Sequence, residues 1–232
     1  MMDLDIAKLA FTASVWVLPV LIAVTLHEAA HGWVAWRLGD DTAYRLGRVS
    51  FNPLKHIDLF GTILLPALML LGSGGRMMFG YAKPVPVNFG GLGNPRRDMV
   101  LVAAAGPASN LILALLSAVL IHGAMLTEGE LREWLGYNLV NSVRINLLLC
   151  VFNMLPLPPL DGGRVAVGIL PAPLGYRLAR LERAGMLILL GVIFLLPMLG
   201  NQIGVDLNVF WWLIGVPTEF LIEMVFSLVG LV

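Results

Sequence analysis

His27, Glu28 and His31 occupy the pentapeptide HEAAH, inside the apolar run VLPVLIAVTLHEAAHGWVAW. On a helix, residues four apart stack on one face. Both imidazoles can therefore reach one metal ion, with the glutamate a turn-neighbour beside them. Two histidines that bind zinc and a glutamate that serves as general base form a combination suited to hydrolysis. The competing reading is a buried polar cluster satisfied by neighbouring helices. Ionisable side chains are costly in an apolar span, and that favours a functional role.

Catalytic zinc ordinarily takes three protein ligands and keeps one position open. His56, His122 and the acidic residues are all candidates for the third. Asp161 stands out, in FNMLPLPPLDGGR. Pro156, Pro158 and Pro159 break the preceding helix, and Gly162 and Gly163 permit unusual backbone angles. Irregular backbone at membrane depth is tolerated where it is buried in protein or lines a wet cavity, so this stretch is expected to wall a site. Asn110 and Asn153 flank it and could orient a substrate or stabilise an oxyanion through an amide. Their alternative is interhelical hydrogen bonding. His56 reads as a loop residue and His122, near the far end of its helix, as structural.

The elements that must position these groups are helical. The chain has 232 residues, 58% hydrophobic and 13% charged, against about a quarter charged in soluble proteins. The expected fold is an all-α polytopic membrane protein with about five transmembrane helices, a re-entrant segment and short β-strands beside the active site. The helices are placed near 7–38, 98–126, 137–155, 184–199 and 207–231, with a shorter apolar piece at 58–71. Residues 7–170 form the motif-bearing core and 184–232 two further helices, all within a single domain. TAYRLGRVSFNPLKHID and RMMFGYAKPVPVNF show the alternation and residue types of short strands, the second confined to an edge by Pro84 and Pro86. Such an edge could accept an extended peptide. Net charge is zero with no basic tract, which argues against a nucleic-acid partner. The lone Cys150 reads as packing. The first apolar run, preceded by Asp3 and Asp5, is too long for a removable signal peptide.

Lys and Arg decide the orientation. The 58–71 piece is only about 14 residues, short for a crossing. If it dips in and returns, twelve of the fifteen Lys and Arg share one side, leaving Lys8, Arg132 and Arg144 toward the other. The twelve-residue side is taken as cytoplasmic. In that arrangement His31 and Asp161 both lie near the cytoplasmic end, with Asn110 somewhat deeper. If the piece crosses, Asp161 falls near the opposite face.

With HEAAH at residues 27–31, GPASN at 106–110 and NMLPLPPLDGG at 153–163, the chain resembles the site-2 proteases, zinc enzymes that cleave peptide bonds within the membrane. FNPLKHIDLFGT and GYAKPVPVN are similar to the compact bacterial and archaeal branch, without a PDZ or CBS domain. The resemblance covers most of residues 20–165. It implies one catalytic zinc ion held by His27, His31 and Asp161, Glu28 as catalytic base, and Asn110 and Asn153 as polar helpers. It further implies a transmembrane protein substrate, a lipid bilayer as surroundings and a prokaryotic cell membrane as location, with the site toward the cytoplasm. A non-proteolytic metal-binding scaffold or transporter is the alternative, and it would need no general base. A zinc site with glutamate as third ligand is weaker: Glu128, Glu130 and Glu133 fall in the far loop, and Glu182, Glu219 and Glu223 outside the core.

Overall fold

The computed structural model describes residues 6–72 and 80–232. In chain order its helices are α1 (Ile6–Arg37), α2 (Thr42–Arg45), α3 (Leu65–Gly72), α4 (Pro95–Ala124), α5 (Gly129–Asn153), α6 (Asp161–Ile169), α7 (Ala172–Ala179), α8 (Glu182–Leu190), α9 (Leu196–Ile203) and α10 (Val216–Leu228). A π-helical turn, Gly191–Leu195, joins α8 to α9, and another, Trp211–Gly215, leads into α10. Among the described residues five helical rods are long and apolar enough to cross a membrane: α1, α4, α5, Glu182–Ile203 and Trp211–Leu228. At 1.5 Å per residue α1 is about 48 Å long, more than the roughly 30 Å of a hydrocarbon core.

α1, α4 and α5 pack together as the frame of the molecule. Small side chains let them approach, as in membrane bundles generally: Ala114 and Ala118 of α4 meet Val143 and Leu147 of α5 and Ile222 and Val225 of α10. Polar ties fix the register. Asn141 Nδ2 donates to the Val15 carbonyl at 2.8 Å, and Trp134 Nε1 to Ser14 Oγ at 2.9 Å. α5 begins eight residues earlier than its hydropathy suggests. The acidic stretch around Glu130 and Glu133 forms its first turns, where carboxylates are favoured by the helix dipole.

The chain between α1 and α4 leaves and re-enters at one end of the bundle, since Gly93 N–H donates to the Leu38 carbonyl at 3.0 Å. Within it, a π-helical turn, Leu59–Leu64, leads into α3. Past residues 73–79, Tyr81 returns beside the start of that turn. Its N–H donates to the Gly61 carbonyl at 3.0 Å, and its carbonyl accepts from Thr62 Oγ1 at 2.9 Å.

The expected strands do not form among the described residues; residues 76–79 of the second, like Asp3 and Asp5, lie outside them. In the first, local turn chemistry overrides the alternation. Asp40 accepts from Thr42 N–H at the start of α2, Gly47 turns the chain at φ 63°, and Asn52 caps a single 3-10 turn at Pro53–Lys55. Residues 80–88 form neither helix nor strand. The N–H groups of Tyr81, Lys83 and Val85 go to three different places, the Gly61 carbonyl, the His56 carbonyl and Glu28 Oε2. Pro84 and Pro86 have none to offer.

Candidate metal centre

HEAAH lies in the C-terminal half of α1, and its two histidines face α4 and the start of α6. His27 Nε2 and His31 Nε2 are 3.0 Å apart, and Asp161 Oδ2 lies 3.2 Å from the first and 3.3 Å from the second. All three residues are buried. Among the described residues they form the group of His, Cys, Asp and Glu side chains that could hold a metal ion.

Hydrogen bonding on the far side of each ring shows what these atoms offer. His31 Nδ1 lies 2.7 Å from the Val102 carbonyl, an acceptor only, so Nδ1 carries the proton and Nε2 a lone pair. His27 Nδ1 lies 2.6 Å from Asn110 Oδ1. The Asn110 amide nitrogen already donates to the Ala23 carbonyl at 3.3 Å and Asn146 Oδ1 at 2.8 Å. Its oxygen therefore faces His27, which again leaves a lone pair on Nε2. Asp161 Oδ2 is buried without a hydrogen-bond donor. With both rings neutral, three acceptor atoms thus converge, a donor set suited to a metal ion. The spacing fits zinc: donors about 2.0–2.1 Å from a tetrahedral ion stand about 3.3 Å apart.

The surrounding motifs have physical reasons. A Cβ on Gly106 would lie 2.6 Å from His27 Nε2 and closer still to His31 Nε2, so only glycine lets α4 pass the two rings. Pro107 offers no N–H to the carbonyl of Ala103 and loosens the same turn of α4. Beyond α5, a Cβ on Gly162 would meet the Met154 carbonyl group and lie 2.6 Å from the Leu155 oxygen, and one on Gly163 would meet Leu157 and Pro158. Neither glycine has a positive φ. They serve close approach rather than the unusual backbone angles expected of them. The result folds Asp161, first residue of α6, back against the end of α5. Arg96 pins α6 to α4 through Nε to the Gly168 carbonyl at 2.9 Å and a second bond to the Leu170 carbonyl.

Glu28 is half-buried on α1, and its Oε2 accepts from Val85 N–H at 2.7 Å. The 80–88 segment thus passes beside the site. The other expected residues divide. Asn110 is fully buried with its amide wholly engaged, so it faces His27 rather than an incoming substrate. Asn153 turns its Nδ2 onto the Leu149 carbonyl of its own helix at 3.0 Å. Among the described residues no hydrogen bond joins it to His27, Glu28, His31 or Asp161. His56 is buried in the loop with Nε2 on the Ser50 carbonyl at 2.9 Å, and His122 ties α4 to the Val229 carbonyl at 2.8 Å. Sequence reasoning missed Gly106, whose demand for space arises only between helices. It also missed Asn146, which a seven-residue spacing from Asn153 places on the same face of α5.

A model of peptidase family M50 matches residues 15–143. The protein named "Putative zinc metalloprotease YwhC" of Bacillus subtilis is 40% identical over 186 residues, covering 78% of this chain and 80% of that one. Two proteins named "Putative zinc metalloprotease Rip2" are also similar. The one from Mycolicibacterium smegmatis is 32% identical over 61% of this chain and 52% of its own length. The one from Mycobacterium tuberculosis strain H37Rv is 30% identical over 83% of this chain and 70% of its own. No solved structure matches the chain. A family model spanning more than half of the sequence, and a relative aligned over most of both lengths, establish that the chain belongs to peptidase family M50, the site-2 protease family of metalloproteases.

Proposed function

We propose that this chain is a zinc-dependent intramembrane endopeptidase that hydrolyses peptide bonds in or near transmembrane segments of membrane proteins. The observation that carries the reading is the convergence of His27 Nε2, His31 Nε2 and Asp161 Oδ2, three buried atoms within about 3.3 Å of one another. These residues would hold one zinc ion, which when bound supplies Lewis acidity toward water and a peptide carbonyl. Glu28 is the proton carrier. Its carboxylate takes the proton of the attacking water and delivers it to the leaving amine, with Oε2 steadied by Val85 N–H. Asn110 orients His27. Asn153 serves as an oxyanion donor once its amide leaves the Leu149 carbonyl.

The setting supports a membrane substrate. The triad lies among rods apolar enough to span a bilayer. The Leu38–Gly93 and Gly61–Tyr81 contacts favour a segment that dips in and returns. That keeps the basic loops on one side, the cytoplasmic one by the distribution of Lys and Arg, and water reaches the site from there in a prokaryotic cell membrane.

The test is incubation of the purified protein in lipid with a panel of single-span proteins, with and without a zinc chelator. The expected result is cleavage within or beside the span that the chelator abolishes and zinc restores. Cleavage indifferent to the chelator, or zinc-loaded protein that cleaves no membrane substrate across the panel, overturns the proposal.

A further inference from the structure

We propose that Asn146 is a positioning residue that sets the proton arrangement of His27 from α5, through Asn110. The inference rests on the reading of His27 as a metal ligand. Asn146 is 1% exposed and Asn110 0% exposed, so water does not satisfy either amide.

The hydrogen bonds form a chain with one direction. It starts at the Ser142 carbonyl, a backbone group that can only accept. Asn146 Nδ2 donates to it at 2.9 Å, which turns Asn146 Oδ1 toward α4. There Oδ1 accepts from Asn110 Nδ2 at 2.8 Å. With its nitrogen drawn to Asn146 and the Ala23 carbonyl, Asn110 presents Oδ1 to His27 Nδ1 at 2.6 Å. His27 must then protonate Nδ1 and leave Nε2 bare on the side of Asp161. Reversing Asn146 would set its oxygen against the Ser142 carbonyl and its nitrogen against Asn110 Nδ2, and reversing Asn110 would set its oxygen against Asn146 Oδ1 and the Ala23 carbonyl. Without Asn146, Asn110 keeps only the longer 3.3 Å bond to Ala23 to hold its orientation. An Asn110 amide turned over would donate to His27 Nδ1, place the ring proton on Nε2 and abolish the ligand. Partners behind a ligating histidine fix its tautomer and orientation in this way.

The experiment measures zinc affinity of the purified full chain by competition with a chelator of known affinity. The absorption spectrum of the cobalt(II)-loaded protein gives a second readout. Asn146→Leu should weaken zinc about 10- to 100-fold, the range for loss of such a partner, and should alter the cobalt bands. Asn146→Asp, which as the buried neutral acid donates its O–H to the Ser142 carbonyl and still accepts from Asn110 with its other oxygen, should retain wild-type affinity and spectrum. Asn141→Leu removes an equally buried tie on the same helix, to the Val15 carbonyl, and should leave both readouts unchanged. If the leucine variant is not recovered, Asn146→Ala removes the same oxygen with less bulk and carries the same expectation. Wild-type affinity in Asn146→Leu or Asn146→Ala, or an equal loss in Asn141→Leu, overturns the inference while the metal site stands. A wild-type chain that takes up no zinc overturns the site itself and this inference with it.

Discussion

Alanine at position 106 should separate metal binding from folding. The added Cβ would lie 2.6 Å from His27 Nε2, where ordinary contact needs about 3.5 Å. The rings must therefore retreat by about 0.9 Å. Metal sites tolerate only about 0.2 Å in their ligand distances. A shift of that size takes at least one nitrogen out of range, and zinc affinity should fall on the order of 100-fold or more. Overpacking a core by a methyl group costs about 1–3 kcal/mol, so the protein should still fold and stay in the membrane. Gly123→Ala is the matched control on the same helix. Its Cβ meets nothing within 4 Å, so it should bind zinc as wild type does and strengthen α4 slightly. The assay is chelator competition for zinc on both purified variants, alongside thermal unfolding. Wild-type zinc affinity in Gly106→Ala would refute the reasoning, because α4 could then back away from the rings at no cost to the site.

Glu28→Gln should keep zinc and the fold but lose the general-base contribution, typically 100- to 10,000-fold. Metal content and substrate turnover on one preparation decide it, and native turnover would leave HEAAH a metal grip without a proton carrier. His27→Ala, His31→Ala and Asp161→Ala should each lose bound zinc by metal analysis, since two donors rarely hold it; full occupancy in Asp161→Ala would remove that residue from the site. Cysteines introduced beside Arg48, Arg97 and Arg180 in a Cys150→Ser background should label from the cytoplasm, and one beside Glu130 from outside. Labelling of the Arg97 position together with Glu130 would contradict the dip-and-return path.

The sequence by itself determined the parts whose physics is local. A four-residue spacing puts His27 and His31 on one helix face whatever surrounds them, and runs of apolar residues longer than a bilayer is thick have few alternatives to a helix. The Lys and Arg distribution favoured a segment at 58–71 that dips in and returns, which the labelling of Arg97 and Glu130 would test. Strand alternation was misleading because it is a weak signal beside specific hydrogen bonds. The Asp40–Thr42 hydrogen bond, the Asn52 cap and a turn at Gly47 reshaped one segment, and Glu28 and the His56 carbonyl took N–H groups of the other. Other features depend on groups far apart in the chain and could be decided only by tertiary structure. Asp161 meets the histidines because Gly162 and Gly163 let α6 press against the end of α5. Asn110 lies 83 residues from His27, so no local pattern could reveal that its oxygen, rather than its nitrogen, faces the ring. Asn146 is one of several asparagines on α5, and what separates it from Asn141 is the helix each happens to face: α4 and Asn110 for one, the Val15 carbonyl of α1 for the other. Hydrogen bonds are directional and buried amides must satisfy both ends, so the packing of α4 between α1 and α5 assigns those roles.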